Sequence, residues 1–134
     1  MSGRSSHYEQ WVAKALEDEF AAKEIIEGKQ FPAPACFHAQ QMVEKLLKAL
    51  LVLSKRKFQK THDLLLLATL LESFAPRVKK SRADLRLLNR YYVETRYPGD
   101  YPEFTVREAV AALAAARRVK DVVHGIVTQK MKKR

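Results

Sequence analysis

Apolar residues recur at helical spacing along nearly the whole chain. Val12, Leu16 and Phe20 follow one another at four-residue intervals and predict a first helix over about 6–27. Gly28 then stands where a residue in the left-handed conformation closes a helix. A second helix over about 35–54 is predicted by a continuous apolar stripe, formed by Cys36, Ala39, Val43, Leu46, Leu47, Leu50 and Leu53. No segment alternates apolar and polar residues for long enough to predict a β-strand.

The third predicted helix, over about 62–74, is apolar on most of its circumference. Thr61 precedes it as a candidate N-cap, and leucine occupies positions 64, 65, 66, 67, 70 and 71. A helix of this kind is either central to a bundle or covered by a partner. We therefore expect the chain to form a homodimer.

Two capping boxes mark the remaining helices. Ser81 and Asp84 have the spacing of such a box and predict a fourth helix that ends near residue 93. The following segment, 94–104, holds two prolines and a glycine and is predicted to be a loop. Thr105 and Glu108 form a second box, which opens a long alanine-rich helix through about residue 129. The pattern predicts an all-α fold, an up-and-down bundle of four to five helices.

Length and composition fit a single globular domain. The chain has 134 residues, of which 47% are hydrophobic, so residues 1–134 are interpreted as one domain, with about 8–129 folded and 130–134 a basic tail. One cysteine and four isolated glycines exclude an internal disulfide, a four-cysteine zinc site and a glycine-rich phosphate loop. We expect no metal and no cofactor. The chain lacks a membrane-length apolar run and a signal-peptide pattern, which predicts a soluble cytoplasmic protein.

The chain is strongly basic, with 25 Lys and Arg against 15 Asp and Glu, a formal net charge of +10. The excess is concentrated in three clusters: positions 55, 56, 57 and 60; 77, 79, 80 and 82; and 130, 132, 133 and 134. Such clusters suit phosphate groups or an acidic protein partner, and solubility alone is the alternative explanation.

Two groups of polar side chains are candidates for ligand binding. His38, Gln41 and Lys45 share one face of the second helix, where they can hold a phosphate and a base edge or simply form a satisfied polar border. The second group interleaves guanidinium groups with phenol rings, which can pair phosphates and stack bases or brace a loop. Its members are Arg90, Tyr92, Arg96 and Tyr97, with Tyr91 and Tyr101 beside them. His62 is interpreted either as a base or, more simply, as a hydrogen-bonding residue of the fold.

Three strings in order resemble the HEPN domain, whose name abbreviates "higher eukaryotes and prokaryotes nucleotide-binding". They are CFHAQQMVEKLLKALL on the second helix, THDL before the third, and RYYVETRYPGDYP before the last. The resemblance runs from about Tyr8 to Gln129 and implies a helical bundle that usually dimerises and binds nucleotide or RNA. It also implies a minimal nucleotidyltransferase as partner, in a toxin–antitoxin type of pair.

The resemblance also raises the alternative of a metal-independent ribonuclease. Such family members carry an Arg followed by four to six residues and a His, often where the last helix begins, but the stretch 90–98 contains no histidine. Arg56 and His62 have the spacing but flank a link between helices. Arg118 and His124 point apart on one helix, whereas Arg117 and His124 share a face and remain the only candidate catalytic pair within a helix. The isolated protein is expected to lack robust ribonuclease activity. A helical scaffold with no nucleic-acid role is the third interpretation.

Overall fold

The computed structural model describes residues 3–58, 60–92 and 104–132, and this part of the chain is helical without any strand. It contains five α-helices and one 3₁₀ helix, which confirms the predicted all-α bundle. In chain order they are α1 (Gly3–Glu27), α2 (Pro32–Leu53), α3 (Leu64–Leu70), the 3₁₀ helix (Pro76–Ser81), α4 (Arg82–Asn89) and α5 (Val106–Lys132). None of the described helices combines the length and the apolar character that crossing a membrane requires.

Helix α2 is the central element of the bundle. It packs against all four other α-helices, and most of its residues from Ala35 to Leu51 are buried. Its apolar stripe therefore lies in the core from Cys36 to Leu50, as the sequence pattern predicts, and Leu53 at the end of the helix is half-buried. The helix begins three residues earlier than predicted because Pro32 takes its first position, where the missing N–H group has no helical partner to lose.

Helix α1 buries a different face from the one its large apolar residues suggest. Ala15, Asp18 and Ala22 are buried, whereas Leu16 is 45% and Phe20 is 61% exposed. Alanines at this interface allow α1 to approach α2 closely, and the neighbouring Ala35 and Ala39 of α2 are also fully buried. The two large side chains thus remain on the surface of α1.

Two helices end in the same left-handed motif, and both times a lysine adopts the positive φ. After α1, Lys29 has a φ of 54°, and its N–H donates to Ile26 O while that of Gln30 donates to Ile25 O. After α2, Lys55 repeats this arrangement with a φ of 66°. These are Schellman motifs. The prediction that Gly28 takes the left-handed position is wrong: α1 ends at Glu27 as predicted, but the N–H of Gly28 still donates to Glu24 O at 2.9 Å, and the turn falls on the next residue, Lys29.

Helix α3 is shorter than predicted and is capped by a different residue. Asp63, not Thr61, is the N-cap, since its carboxylate accepts from the N–H groups of Leu65 and Leu66 at 3.0 and 3.3 Å. Thr61 instead accepts from the N–H of Asp63 at 3.1 Å. Leu64, Leu67 and Leu71 are fully buried. The leucine-rich segment therefore delivers most of its apolar surface to the core of its own bundle.

The predicted capping box at Ser81 is also wrong. Ser81 is buried at the end of the 3₁₀ helix, and its side chain makes no capping hydrogen bond to α4. Asp84 has another partner, because Arg118 of α5 donates to both carboxylate oxygens, at 2.9 and 3.1 Å. A tertiary ion pair thus replaces the local interaction that the spacing suggested.

The capping box of α5 is present as predicted. Thr105 Oγ1 accepts from the N–H of Glu108 at 3.0 Å, and Glu108 accepts from the N–H of Thr105 at 3.3 Å. The helix continues to Lys132, beyond the predicted end near 129. Lys130 contributes to this extension, since its ammonium lies 4.3 Å from the centre of the Phe74 ring.

Replacing Lys29 by glycine is expected to stabilise the protein. The left-handed conformation costs a residue with a side chain about 1–2 kcal/mol. Glycine removes that cost but adds conformational entropy to the unfolded chain, so the expected gain is about 0.5–1 kcal/mol in the free energy of unfolding. Urea unfolding of Lys29→Gly measures it. The matched control, Lys23→Gly within α1, should lose about 1 kcal/mol; a loss in Lys29→Gly as well would contradict the argument.

Candidate functional site

His38 and Lys45 of α2 meet on a carboxylate supplied by α1. Asp18 Oδ1 lies 2.8 Å from His38 Nδ1, and Asp18 Oδ2 accepts from Lys45 Nζ at 2.6 Å. Burial alone raises the pKa of Asp18, but the hydrogen bonds from His38 and Lys45 outweigh it and lower that pKa overall. Two residues of the predicted group are thus joined by an acid that the sequence pattern did not single out.

Gln41, the third member of that group, belongs to a second network around Glu44. The Gln41 amide donates to Gln40 Oε1 at 2.7 Å and to Glu44 Oε1 at 3.2 Å. Glu44 is only 4% exposed and also accepts from Lys48 Nζ at 2.8 Å. A buried carboxylate requires several such donors to offset its lost hydration. The predicted face of α2 therefore divides between two carboxylates, Asp18 and Glu44.

The Glu44 network holds His62 in place. His62 Nδ1 lies 2.8 Å from Glu44 Oε1, and the buried Gln40 donates its amide to the His62 carbonyl at 3.1 Å. His62 lies ahead of α3, not in its first turn, because Asp63 is the cap. The simpler interpretation of His62, a hydrogen-bonding residue of the fold, is confirmed. The same contacts orient its ring, since a carboxylate on Nδ1 leaves Nε2 as the nitrogen available to a ligand.

A pocket opens beside the His62 ring. Its volume is about 380 Å³, and His62 and Tyr92 stack in it with ring centres 4.0 Å apart and planes 15° from parallel. The other lining residues are Lys60, Thr61, Asp63 and Asn89. One cation, two stacked rings and several amide, hydroxyl and carboxylate groups therefore share one opening.

The link between α4 and α3 fixes the polar side of this pocket. Asn89 Oδ1 accepts from the N–H of Leu64 at 2.9 Å, and its amide donates to Asp63 Oδ1 at 3.0 Å. Asn89, the last residue of α4, thus binds the start of α3. Because Tyr92 follows three residues later, this clamp also places the tyrosine near His62.

The predicted group of arginines and tyrosines is only partly described. Arg90 is exposed, with its guanidinium 5.9 Å from the centre of the Tyr91 ring. Tyr91 itself is buried and donates to Glu108 at 3.2 Å, and burial together with the nearby Cys36 and Glu108 raises its pKa to about 12. Tyr91 is therefore a core residue, whereas Arg96 and Tyr97 lie outside the described residues.

One member of the candidate catalytic pair on α5, Arg117, forms an ion pair with a neighbouring helix. Arg117 donates to Glu19 of α1 at 2.8 Å, and Lys120 reaches the same carboxylate at 2.9 Å. Burial raises the pKa of Glu19, but these hydrogen bonds lower it overall. His124 is exposed on α5. Arg117 thus ties α5 to α1, and its guanidinium already has an acidic partner.

The side chains of the other spacing match, Arg56 and His62, lie at opposite ends of α3. Arg56 donates to Ser73 Oγ at 2.7 Å and to Leu70 O at 3.5 Å, at the end of α3, whereas His62 lies before its start. The lone thiol is equally removed from chemistry, because burial and Glu108 raise the pKa of Cys36 to about 11. Within the described ranges, no three His, Cys, Asp or Glu residues are grouped to hold a metal ion.

Sequence reasoning missed the two residues on which these networks depend, Asp18 and Glu44. Glu44 had a signal: it stands four residues before Lys48 inside a strongly apolar helix, which is the spacing of a helical ion pair. Asp18 had none, because its burial depends on how α1 rotates against α2. The sequence pattern drew attention to the face of α1 that carries Leu16 and Phe20 and not to the buried face that carries Asp18.

Asp18→Asn is expected to lower the free energy of unfolding at neutral pH by about 1–3 kcal/mol, since it removes a charged hydrogen-bonding partner from His38 and Lys45. The folded state lowers the pKa of Asp18, so the carboxylate stabilises the protein above about pH 4, and this contribution is lost as the pH falls further. Urea unfolding between neutral and acidic pH should show the difference shrinking. Glu17→Gln, an exposed control on α1, should change stability little; equal effects of both variants would contradict the role of Asp18.

The chain is similar to a known protein family and to solved structures. A family model described as HEPN domain matches residues 8–126. Among solved structures, TT1696 from Thermus thermophilus superposes with a TM-score of 0.78 and 27% identity, over 90% of this chain and 98% of that one. ST0689, an archaeal HEPN homologue, superposes with a TM-score of 0.69 and 26% identity, over 89% and 96%. None of the curated proteins compared with the chain matches it. Because the family model spans most of its residues, the chain belongs to the HEPN domain family.

Proposed function

We propose that the protein binds a nucleotide or RNA at the pocket formed by His62 and Tyr92. The observation that carries the proposal is the stacked pair of rings, held by a buried carboxylate and open to one side. Aromatic platforms of this kind bind bases by stacking, and histidine and tyrosine are among the side chains that serve them. A volume of about 380 Å³ lies within the range of small-molecule sites, roughly 300–1,000 Å³.

The polar groups of the pocket complement the stack. Lys60 supplies a positive charge for a phosphate, and Asn89 and Asp63 supply amide and carboxylate edges for hydrogen bonds to a base. The net charge of +10 adds a long-range attraction for anionic ligands. We include Arg90, Arg96 and Tyr97 in the proposed interface because they stand next to Tyr92 in the sequence.

The predicted residues of α2 take a supporting part in this proposal. Gln41 acts through Glu44 and is a positioning residue for His62. His38 and Lys45 share the charge of Asp18, which reduces the net positive charge that they offer to a phosphate. Their side chains remain 33% and 25% exposed, so contact with a bound ligand is still part of the hypothesis.

A ribonuclease is the alternative function, and one observation favours it. His62 with Glu44 on Nδ1 has the arrangement of an oriented general base. Such chemistry also needs a cation near the same phosphate. Lys60 lines the pocket beside His62, but the arginines that stand at the family's spacing from a histidine are engaged elsewhere, Arg56 at the far end of α3 and Arg117 with Glu19. Binding without cleavage is therefore the function that this geometry favours, and a scaffold without a ligand is the remaining alternative.

We also propose a protein partner, a separately encoded minimal nucleotidyltransferase in a toxin–antitoxin type of pair. Membership in the HEPN domain family supports this partner. A neighbouring gene of that class and copurification of the two products would support it further. Purification of the protein alone from cells expressing both would contradict it.

Tyr92→Ala is expected to weaken the binding of a short single-stranded RNA by about 1–3 kcal/mol, the contribution of one stacked base. Arg96→Ala should weaken it by about the same amount through the loss of a charged hydrogen bond. Fluorescence anisotropy measures both, and circular dichroism verifies the fold. Tyr91→Phe is the matched control, because that neighbouring ring is buried and should leave the affinity unchanged. Unaltered binding by Tyr92→Ala would remove the pocket from the site, and cleaved RNA in the same samples would support the ribonuclease.

The proposed homodimer uses the surface between α1 and α5. Leu16, Phe20, Val106 and Val110 are between 45% and 61% exposed, whereas Leu66, the most exposed of the leucines on α3, is 38% exposed. Ile26, Val110 and Leu113 line a groove of about 430 Å³ between α1 and α5. Exposed large apolar side chains on neighbouring helices favour an interface between protein chains. The structure thus favours α1 and α5 over the third helix as the contact between two copies.

Sedimentation at micromolar concentration should show a dimer for the parent protein. Val110→Asp should shift it to the monomer, because a carboxylate would be buried against apolar side chains. Leu66→Asp places the same charge on α3 and should leave the dimer intact. A monomeric parent would contradict the homodimer, and dissociation by Leu66→Asp alone would return the interface to the third helix.

A further inference from the structure

Cations from the three basic clusters meet around one aromatic ring. Lys130 of α5 lies over Phe74 at 4.3 Å. Lys130 and Arg77 both line a cavity of about 360 Å³ on one side of Phe74, and Lys130 and Lys55 line another of about 250 Å³. We call this region, defined by Lys55, Arg77, Lys130 and Phe74, the basic end. The bundle thus brings together charges that are far apart in the sequence.

The carboxylates that balance other cations of the bundle do not line these cavities. Lys45, Lys48, Arg117, Arg118 and Lys120 all form ion pairs with Asp or Glu. Among the described residues that line the two cavities at the basic end, none is acidic. The positive potential there is therefore less neutralised than along α1 and the rest of α5.

The backbone holds these cations in defined positions. Lys55 takes the left-handed position after α2, which turns the chain sharply at the end of that helix. The next residue, Arg56, donates to Ser73 Oγ at 2.7 Å. This hydrogen bond ties the link after α2 to the segment after α3 that contains Phe74. Hydrogen bonds of Arg56 thus join the link after α2 to the end of α3 and the segment after it, and the cation–π contact of Lys130 with Phe74 adds the end of α5.

Gly125 gives Arg77 its seat on α5. A Cβ atom at Gly125 would stand 2.9 Å from Arg77 Nη2, 3.2 Å from Nη1 and 3.4 Å from Cζ. A glycine inside a helix costs roughly 1 kcal/mol relative to alanine. Here it lets the guanidinium lie close against the helix, and Arg77 also lines the cavity. A planar fork in this place suits the bidentate binding of a phosphate.

We infer that the basic end binds the phosphodiester backbone of single-stranded RNA, as a second contact separate from the His62–Tyr92 pocket. The inference rests on the proposed function only in taking RNA as the ligand. Helix α3 separates the two places, and its seven residues span about 10 Å. A guanidinium fork binds phosphate and carboxylate groups alike, so the choice of phosphate follows from the RNA of the proposed function, and polyglutamate is the competing ligand in the test.

An abasic oligonucleotide tests the inference, because it carries phosphates and has no base to enter the pocket. The probe variant combines Lys55→Gln, Arg77→Gln and Lys130→Gln. If each cation contacts one phosphate, the slope of log affinity against log salt should fall by about 2, at roughly 0.7 per contact on a single strand. The control variant combines Lys14→Gln, Lys23→Gln and Lys29→Gln, which removes the same charge on and after α1. An equal change of slope in both variants would overturn the inference.

Two further measurements distinguish specific binding of phosphate at the basic end from non-specific attraction to its positive charge. Gly125→Ala keeps every charge and favours the helix, yet it displaces the Arg77 guanidinium, so the abasic affinity should fall several-fold without a loss in Tm. Undiminished affinity in this variant, or equal binding of polyglutamate by the parent, would overturn phosphate recognition here. Tyr92→Ala should bind the abasic probe as the parent does. A failure of the pocket appears only with bases present and is thereby distinguished from a failure of the basic end.

Discussion

The central helix can occupy the middle of the bundle only because its buried polar groups are all paired. Gln40 and Glu44 lie among the leucines of α2 and are almost fully buried, and in the described part of the chain no buried side-chain nitrogen or oxygen lacks a partner. An unpaired carboxylate in this position would cost several kcal/mol. The first role of Lys48 and His62 is therefore to pair with Glu44 and stabilise the fold. The pocket beside His62 is a by-product of that requirement, since the carboxylate that must be satisfied also fixes the imidazole.

This requirement explains why several hydrogen bonds hold one side of the candidate site. His62 is held from beneath by Glu44 and Gln40, while Asn89 and Asp63 fasten the chain around it. Sites whose supporting residues are locked by packing hold their geometry without the help of a ligand. In the HEPN domain of this chain, the same contacts therefore stabilise the fold and prepare a stacking surface.

The features that depend on neighbouring residues could be predicted from the sequence. The stripe of α2 and the Thr105–Glu108 capping box are of this kind, because helical spacing alone determines them. Features that depend on packing could not. Ser81 has the spacing of a cap, but Asp84 pairs with Arg118 from a distant helix, and Asp63 displaces Thr61 because Asn89 supports it. The candidate site shows the same division: His62 was visible as a residue type, whereas its pairing with Glu44 became evident only from the packing of the helices.

The single thiol, Cys36, can report how often the bundle opens around its central helix. Cys36 is fully buried in α2 and its pKa is about 11, so neither contact with solvent nor a useful fraction of thiolate is present at neutral pH in the folded state. A thiol reagent can react only with molecules in which the central helix has separated from its neighbours. When opening and closing are fast relative to modification, the rate of modification gives the population of that open form. Modification of the buried Cys36 thiol thereby measures how often the core opens to solvent.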